Sequence, residues 1–102
     1  MTSEEQLIAF DLFTAKMRET ISKKGDDYAG ADRLSNFKVA GNIANQGHKN
    51  AAAMNVLNLI GTKVARLGQL LNSKDAPKHE SIEDSILDGA NYMFLLACVL
   101  SE

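Results

Sequence analysis

The sequence has little of several residue types that small proteins use for stability or for chemistry. It contains one cysteine, one proline and no tryptophan in 102 residues, and aromatic residues make up 6%. One cysteine excludes a disulfide framework within the chain. Because Cys98 lies in an apolar run, a buried and inert thiol is a better interpretation of it than a nucleophile.

An excess of charge of one sign is also missing. The chain has 11 Lys and Arg against 13 Asp and Glu, which gives a formal net charge of −2. We therefore expect no broad cationic surface of the kind that binds duplex DNA or anionic lipid. A local basic site remains compatible with this balance.

Long apolar runs and alternating patterns are absent too. The run YMFLLACVL at residues 92–100 is about half the length that spans a bilayer. The first residues, MTSEEQ, lack the basic start and apolar stretch of a signal peptide. Apolar residues nowhere alternate with period two, so no β-sheet is expected. The sequence predicts a cytoplasmic protein with no membrane partner.

What the sequence does contain is helical periodicity over a length that suits one domain. A capping-box pattern from Ser3 to Gln6 opens the first helix, and Ser81 with two acidic residues in the next turn opens the last. The predicted helices cover residues 3–22, 34–45, 50–71 and 81–100. Residues 1–102 are thus expected to form a single all-α domain, a helical bundle of three main helices plus a short one.

The apolar residues of these helices indicate how they pack. The first helix has one apolar face at heptad-like spacing and a second face with Ile8 and Leu12, so it should contact more than one element. The members of its main face are Leu7, Phe10, Phe13, Met17 and Ile21. The end of the last helix, which starts at Tyr92 and stops at Leu100, is apolar on every side. Since so small a chain cannot cover such a surface alone, we expect a homo-oligomer formed through residues 92–100.

The segment between the first and second helices is the most irregular part of the sequence. Residues 23–32 contain two glycines and three aspartates without periodicity, which predicts a loop. Loops held by rigid helices often carry binding groups, here Lys24 and Tyr28. Tyr28 would either stack on a base or anchor the loop to the core.

Acidic residues form a line on one side of the last helix. Glu80, Asp84 and Asp88 are spaced four apart and Asn91 follows, all within an arc of about 80 degrees on an extended helix. Stacked carboxylates repel one another unless a cation neutralises them. Magnesium held by Asp84 and Asp88 is one possibility, and basic side chains of another helix are the other. The simpler interpretation leaves Glu80 and Asp84 as solvent-facing residues at a helix start.

Lys63 and Arg66 of the long helix are the natural basic partners of these acids. They lie three residues apart at the edge of its apolar face, where both can reach a cleft beside the last helix. Their structural role would be inter-helix ion pairs, and their functional role would be to hold phosphate.

The order of these motifs resembles a known family. The motifs are KGDDY at residues 24–28, KVAR at 63–66, ESIED at 80–84 and DGANY at 88–92. Over about residues 20–98 they are similar to the nucleotide-modification-associated helical proteins of phages and bacteria, distant relatives of MazG-like all-α nucleoside triphosphate pyrophosphatases. The resemblance implies a bundle that forms dimers or tetramers and binds a nucleotide with magnesium between helices. In catalytic relatives, acidic clusters on two helices hold metals that help water to attack the phosphate chain.

The resemblance assigns roles to several residues and also shows a departure. Asp88 matches the acid of the family's last helix and Asp84 its companion, as magnesium ligands. Phosphate and substrate binding would fall to Lys24, Tyr28, Lys63, Arg66 and Asn91. The long helix, however, has no carboxylate between residues 50 and 73, where catalytic relatives place their first acidic cluster. Three functions stay open: a pyrophosphatase, a protein that sequesters or senses a nucleotide such as a defence signal, and a structural oligomer.

Overall fold

The computed structural model describes residues 1–28, 32–75 and 81–102, and in the first of these ranges it describes side chains up to residue 24. These residues form four helices and no strand, which confirms the all-α prediction. The helices are α1 (Ser3–Tyr28), α2 (Ser35–Ala44), α3 (Ala51–Asn72) and α4 (Ile82–Ser101). None of them is both long and apolar enough to cross a membrane within the part of the chain described.

The ends of α2, α3 and α4 lie within one residue of their predicted positions. At the start of α4, the Ser81 hydroxyl accepts a hydrogen bond from the Asp84 backbone N–H at 3.0 Å. The Asp84 carboxylate accepts one in return from the Ser81 backbone N–H at 3.4 Å. This capping box satisfies two backbone donors that would otherwise lack partners. After α2 the chain turns at Gly47, whose φ of 84° suits glycine.

The predicted loop at residues 23–32 is wrong over its first part, because α1 continues to Tyr28. Lys23 pairs with Glu19 one turn earlier at 2.8 Å, an i,i+4 contact that stabilises a helix. A glycine inside a helix costs only about 1 kcal/mol relative to alanine, so Gly25 need not end it. Residues 29–31 of the predicted loop lie outside the described residues.

The chain packs as a layered set of neighbouring helices, with α4 on α3, α2 on α3 and α1 on α4. The closest approach is at Gly41 of α2, where an added Cβ would lie 2.5 Å from the backbone oxygen of Ala51. The buried apolar residues cluster near this contact and are Leu34, Ala51, Ala53 and Val56. The described core is therefore small for a chain of this length.

The apolar faces predicted for α1 are only partly covered. Leu7 and Phe10 remain 61% and 60% exposed, and Ile8 and Leu12 are exposed to a similar degree. The reason is that α1 contacts α4 through its second half, where Lys16 pairs with Glu83. The described parts of the chain therefore leave the apolar residues of the first half of α1 uncovered.

Candidate functional site

A cavity of about 360 Å³ lies between α1, α2 and α4, a size typical of small-molecule sites. The second half of α1 forms one wall, the start of α2 another, and the middle of α4 the floor. The described residues that line it are Thr20, Ile21, Lys24, Arg33, Asn36, Phe37, Asp88, Asn91, Tyr92 and Leu95.

Asn91 is the most unusual residue of this cavity. It is 5% exposed, yet neither its side-chain nitrogen nor its side-chain oxygen has a hydrogen-bond partner among the described residues. A buried polar atom without a partner costs about 1–3 kcal/mol. Because this amide lines a cavity, a ligand with a hydrogen-bond donor beside an acceptor would satisfy both atoms.

The walls around Asn91 are largely apolar and include two aromatic rings. Phe37 from α2 and Tyr92 from α4 are both partly buried, and Ile21 and Leu95 complete the surface. A flat ring bound here would gain contact with aromatic side chains in stacked or edge-on arrangements. The combination of aromatic walls with the buried amide of Asn91 is suited to a heterocycle.

Cationic side chains gather at one side of the cavity. The Lys24 ammonium lies 3.3 Å from Asp88 Oδ1, and its side chain is 56% exposed. The Arg33 guanidinium donates to the backbone oxygen of Ser22 at 3.2 Å, which holds it against α1. Lys24 and Arg33 line the cavity with Asp88, the one carboxylate among its described lining residues, so the described lining has more positive than negative charge and favours an anion.

Asp88 also forms the inter-helix ion pair that its spacing predicted. Lys63 Nζ of α3 lies 3.0 Å from Asp88 Oδ2, and the two side chains are only 19% and 18% exposed. A pair so shielded from water is screened less by salt than a surface pair is. The shielded Lys63 side chain therefore fixes the orientation of Asp88, whereas the Lys24 side chain contacts Asp88 from the solvent-exposed side.

The structure brings together only part of the predicted site. Lys24, Asp88 and Asn91 meet at the cavity, and Lys63 joins them through Asp88. Asp84 belongs to the capping box of α4, and neither it nor the partly buried Arg66 is among the described lining residues. The side chain of Tyr28, and Glu80 as a whole, lie outside what the structure describes.

Sequence reasoning missed the contribution of α2 to the cavity. Asn36 and Phe37 of α2 line it, and Arg33 joins them from the turn that precedes the helix. The helix itself was predicted from the sequence, but nothing in it directs these residues towards α1 and α4. Because α2 is short, the sequence did not indicate that this helix lines the cavity.

The predicted magnesium ligands are both engaged by protein groups. Asp84 accepts the Ser81 N–H, and Asp88 is held between two lysine ammonium groups. In the described parts of the chain, no three or more His, Cys, Asp or Glu side chains are grouped so as to hold a metal ion. As arranged, this donor set does not fit a magnesium site made by the protein alone, because a cation would first have to displace Lys24 from Asp88.

Comparison with known proteins adds no relative: no family model, no curated protein and no solved structure matches this chain. The function must be argued from the residues of the cavity themselves.

Proposed function

We propose that this protein binds a nucleotide in the cavity between α1, α2 and α4, as part of phage or bacterial nucleotide metabolism. The observation that carries the proposal is the buried amide of Asn91, which lines the cavity without a hydrogen-bond partner among the described residues. An asparagine amide matches the adjacent donor and acceptor on the edge of a nucleobase. Phe37 and Tyr92 supply the aromatic contacts that favour a planar base.

The phosphate end of the ligand belongs at the cationic side. The Lys24 ammonium is exposed enough to leave Asp88 and bind a phosphate oxygen, and Arg33 lines the same cavity. Lys63 keeps Asp88 in place while this happens, because that pair is shielded from solvent. The other predicted phosphate-binding residue, Arg66, and the predicted base-binding residue, Tyr28, stay predictions.

The carboxylates of the site decide between two functions, which are hydrolysis of the bound nucleotide and binding without hydrolysis. The resemblance to MazG-like proteins implies a magnesium-dependent pyrophosphatase, which needs free carboxylates for metal. Asp88 is instead neutralised by two ammonium groups, and α3 has no carboxylate at all. These observations favour the second candidate, a protein that sequesters or senses a nucleotide without hydrolysing it.

The first experiment tests binding. Nucleoside triphosphates, monophosphates and modified nucleotides are screened for an increase in melting temperature, since a ligand of the folded state stabilises it by mass action. A hit is then titrated against the unsubstituted protein and Asn91→Leu. We expect Asn91→Leu to weaken binding at least tenfold, and Asn42→Leu, an exposed asparagine of α2, to leave it unchanged. If no nucleotide stabilises the protein, or if Asn91→Leu binds equally well, the proposal fails.

The second experiment separates binding from hydrolysis. The protein is incubated with the bound nucleotide and magnesium, and the products are separated by ion-exchange chromatography. A sequestering protein returns the nucleotide intact, whereas a pyrophosphatase releases a nucleoside monophosphate and pyrophosphate. Release of both products at a rate that depends on Asp88 would reject the non-catalytic candidate.

The proposal also includes a homo-oligomer with residues 92–100 at a contact between copies. Within this range Met93 is 56% exposed, Phe94 49% and Leu100 61%, so the single chain leaves much of it uncovered. The purely structural alternative, in which the polar line serves as an ion-pair contact between copies, is less favoured. Lys63 and Asp88 already pair with each other inside one chain.

A further inference from the structure

The protein exposes much more surface than a compact chain of its size. Its accessible area is 7399 Å², whereas a compact monomer of 11.1 kDa exposes about 5,700 Å². The excess of about 1,700 Å² per copy corresponds to about 3,400 Å² for two copies, within the range of permanent homodimers. The excess area is thus sufficient for a stable interface between copies of this chain.

The first half of α1 contributes one large exposed apolar surface. α1 and α4 run past each other in the same sense, because Lys16 pairs with Glu83 and, two turns later, Lys24 pairs with Asp88. Residues 3–12 therefore extend beyond the start of α4 by about 15 Å. Every residue of this projecting segment of α1 is exposed, and its apolar members are Leu7, Ile8, Ala9, Phe10 and Leu12.

The outer face of α3 contributes a second apolar surface. Leu57, Val64 and Leu71 are spaced seven residues apart and are 46%, 62% and 69% exposed. Ile60 and Leu67 lie between them and are partly exposed as well. Apolar residues at alternating spacings of three and four form the contact line of two helices in a coiled coil. This α3 stripe therefore has the pattern of a face that receives another helix.

The charges of the two surfaces decide which of them pair. Residues 1–15 contain three acids, Glu4, Glu5 and Asp11, and no base. α3 contains no acid, and its two bases, Lys63 and Arg66, already have interaction partners within their own chain. Pairing the projecting segments of two copies with each other would place acids against acids, which is unfavourable. Pairing the projecting segment of one copy with the α3 stripe of another avoids this repulsion.

We propose that a second copy of this chain docks on the first so that the projecting segment of α1 in each copy lies along the α3 stripe of the other. Such an exchange is symmetric, because the same two surfaces are used by both copies. It covers Leu7 and Phe10 of one copy with Leu57, Val64 and Leu71 of the other. This interface is separate from the contact through residues 92–100.

The first test measures the mass of the particle in solution. Phe10→Glu and Val64→Glu each place a charge on one of the two surfaces, and sedimentation velocity reports the oligomer. Both side chains are at least 60% exposed in the single chain, so the substitutions leave its internal packing intact. We expect each glutamate variant to sediment as a smaller oligomer than the unsubstituted protein. Val39→Glu, at 61% exposed on α2, is the matched control and should not dissociate.

The second test identifies the contact directly by disulfide formation. In a Cys98→Ser background, a single cysteine at position 7, 8, 10 or 12 is mixed with Val64→Cys and oxidised. At least one of the four mixtures should give a crosslinked dimer of the two different variants, and mixtures with Asn42→Cys should not. A monomeric unsubstituted protein overturns the proposal. The proposal is also overturned if the protein is an oligomer whose mass is unchanged in both glutamate variants and in which none of the four mixtures forms the crosslink. In that case residues 92–100, an additional segment or another protein covers these surfaces.

Discussion

At the scale of single residues, Asn91 shows how stability and binding impose opposite requirements. Its buried amide lacks partners among the described residues, although the cavity around it is mostly apolar. Leucine has a similar volume and no polar atoms, so it avoids the cost of about 1–3 kcal/mol for a buried unpaired group. We therefore expect Asn91→Leu to raise the free energy of unfolding of the ligand-free protein, measured by urea denaturation. A large loss of stability would mean that the amide supports the fold.

Asp32 is the residue whose titration should be visible in the stability of the fold. The Lys38 ammonium, which donates to it at 2.7 Å, and then the Leu34 backbone N–H lower the pKa of the Asp32 carboxyl below its ordinary value. A lowered folded-state pKa stabilises the protein above the unfolded-state pKa of about 3.9, and this contribution is lost as pH falls through the folded-state pKa. Asp32→Asn should therefore lower the urea midpoint at pH 7.

The pH dependence supplies the control for this prediction. The difference in midpoint between Asp32→Asn and the unsubstituted protein should shrink below about pH 4, because the unsubstituted carboxyl then becomes protonated as well. Asp75→Asn, which changes an exposed carboxylate in the segment after α3, should show no such pattern. An equal difference at pH 7 and at pH 2 would show that shape, not charge, explains the effect.

At the scale of helices, the sequence predicted three of the four elements almost completely. α2, α3 and α4 have start and stop signals within their own residues, such as the Ser81 capping box and the Gly47 turn. The end of α1 was missed because the helix continues to Tyr28, through residues whose composition is typical of a loop. The cavity was only half predictable, since α4 carries Asp88 and Asn91 on one face but the direction of α2 depends on long-range packing.

The contact of α2 with α3 depends on one glycine. A Cβ at Gly41 would lie 2.5 Å from Ala51 O and 2.8 Å from Ala52 Cα, both backbone atoms that cannot rotate away. We expect Gly41→Ala to destabilise the protein by about 1–3 kcal/mol in chemical denaturation, as overpacking generally does. Gly89→Ala is the matched control, because its Cβ would lie 3.9 Å from Lys63 Cβ, an ordinary contact. Equal stability of the two variants would contradict this account.

At the scale of the whole molecule, the single chain is less compact than an ordinary domain of its length. Its radius of gyration is 15.5 Å, compared with about 12.8 Å for a compact domain of this length. The described apolar core has only four buried residues, whereas large apolar side chains are exposed on all four helices. The proposed exchange of α1 between copies would bury the exposed apolar residues of the first half of α1 and of the α3 stripe.

The proposed dimer also links assembly to the nucleotide site, because α1 takes part in both. Its first half would lie on the second copy, and its second half carries Thr20, Ile21 and Lys24 of the cavity wall. Within the described parts of one chain, the main helix that α1 contacts is α4, so loss of the second copy should leave this wall less firmly positioned. Phe10→Glu should therefore weaken nucleotide binding several-fold although residue 10 is not among the residues that line the cavity, and Val39→Glu should not. By linkage, saturating nucleotide should strengthen dimerisation by the square of that factor in sedimentation equilibrium, because each of the two copies has one cavity. A dissociated Phe10→Glu variant that binds the nucleotide with unchanged affinity would show that the cavity is complete within one chain.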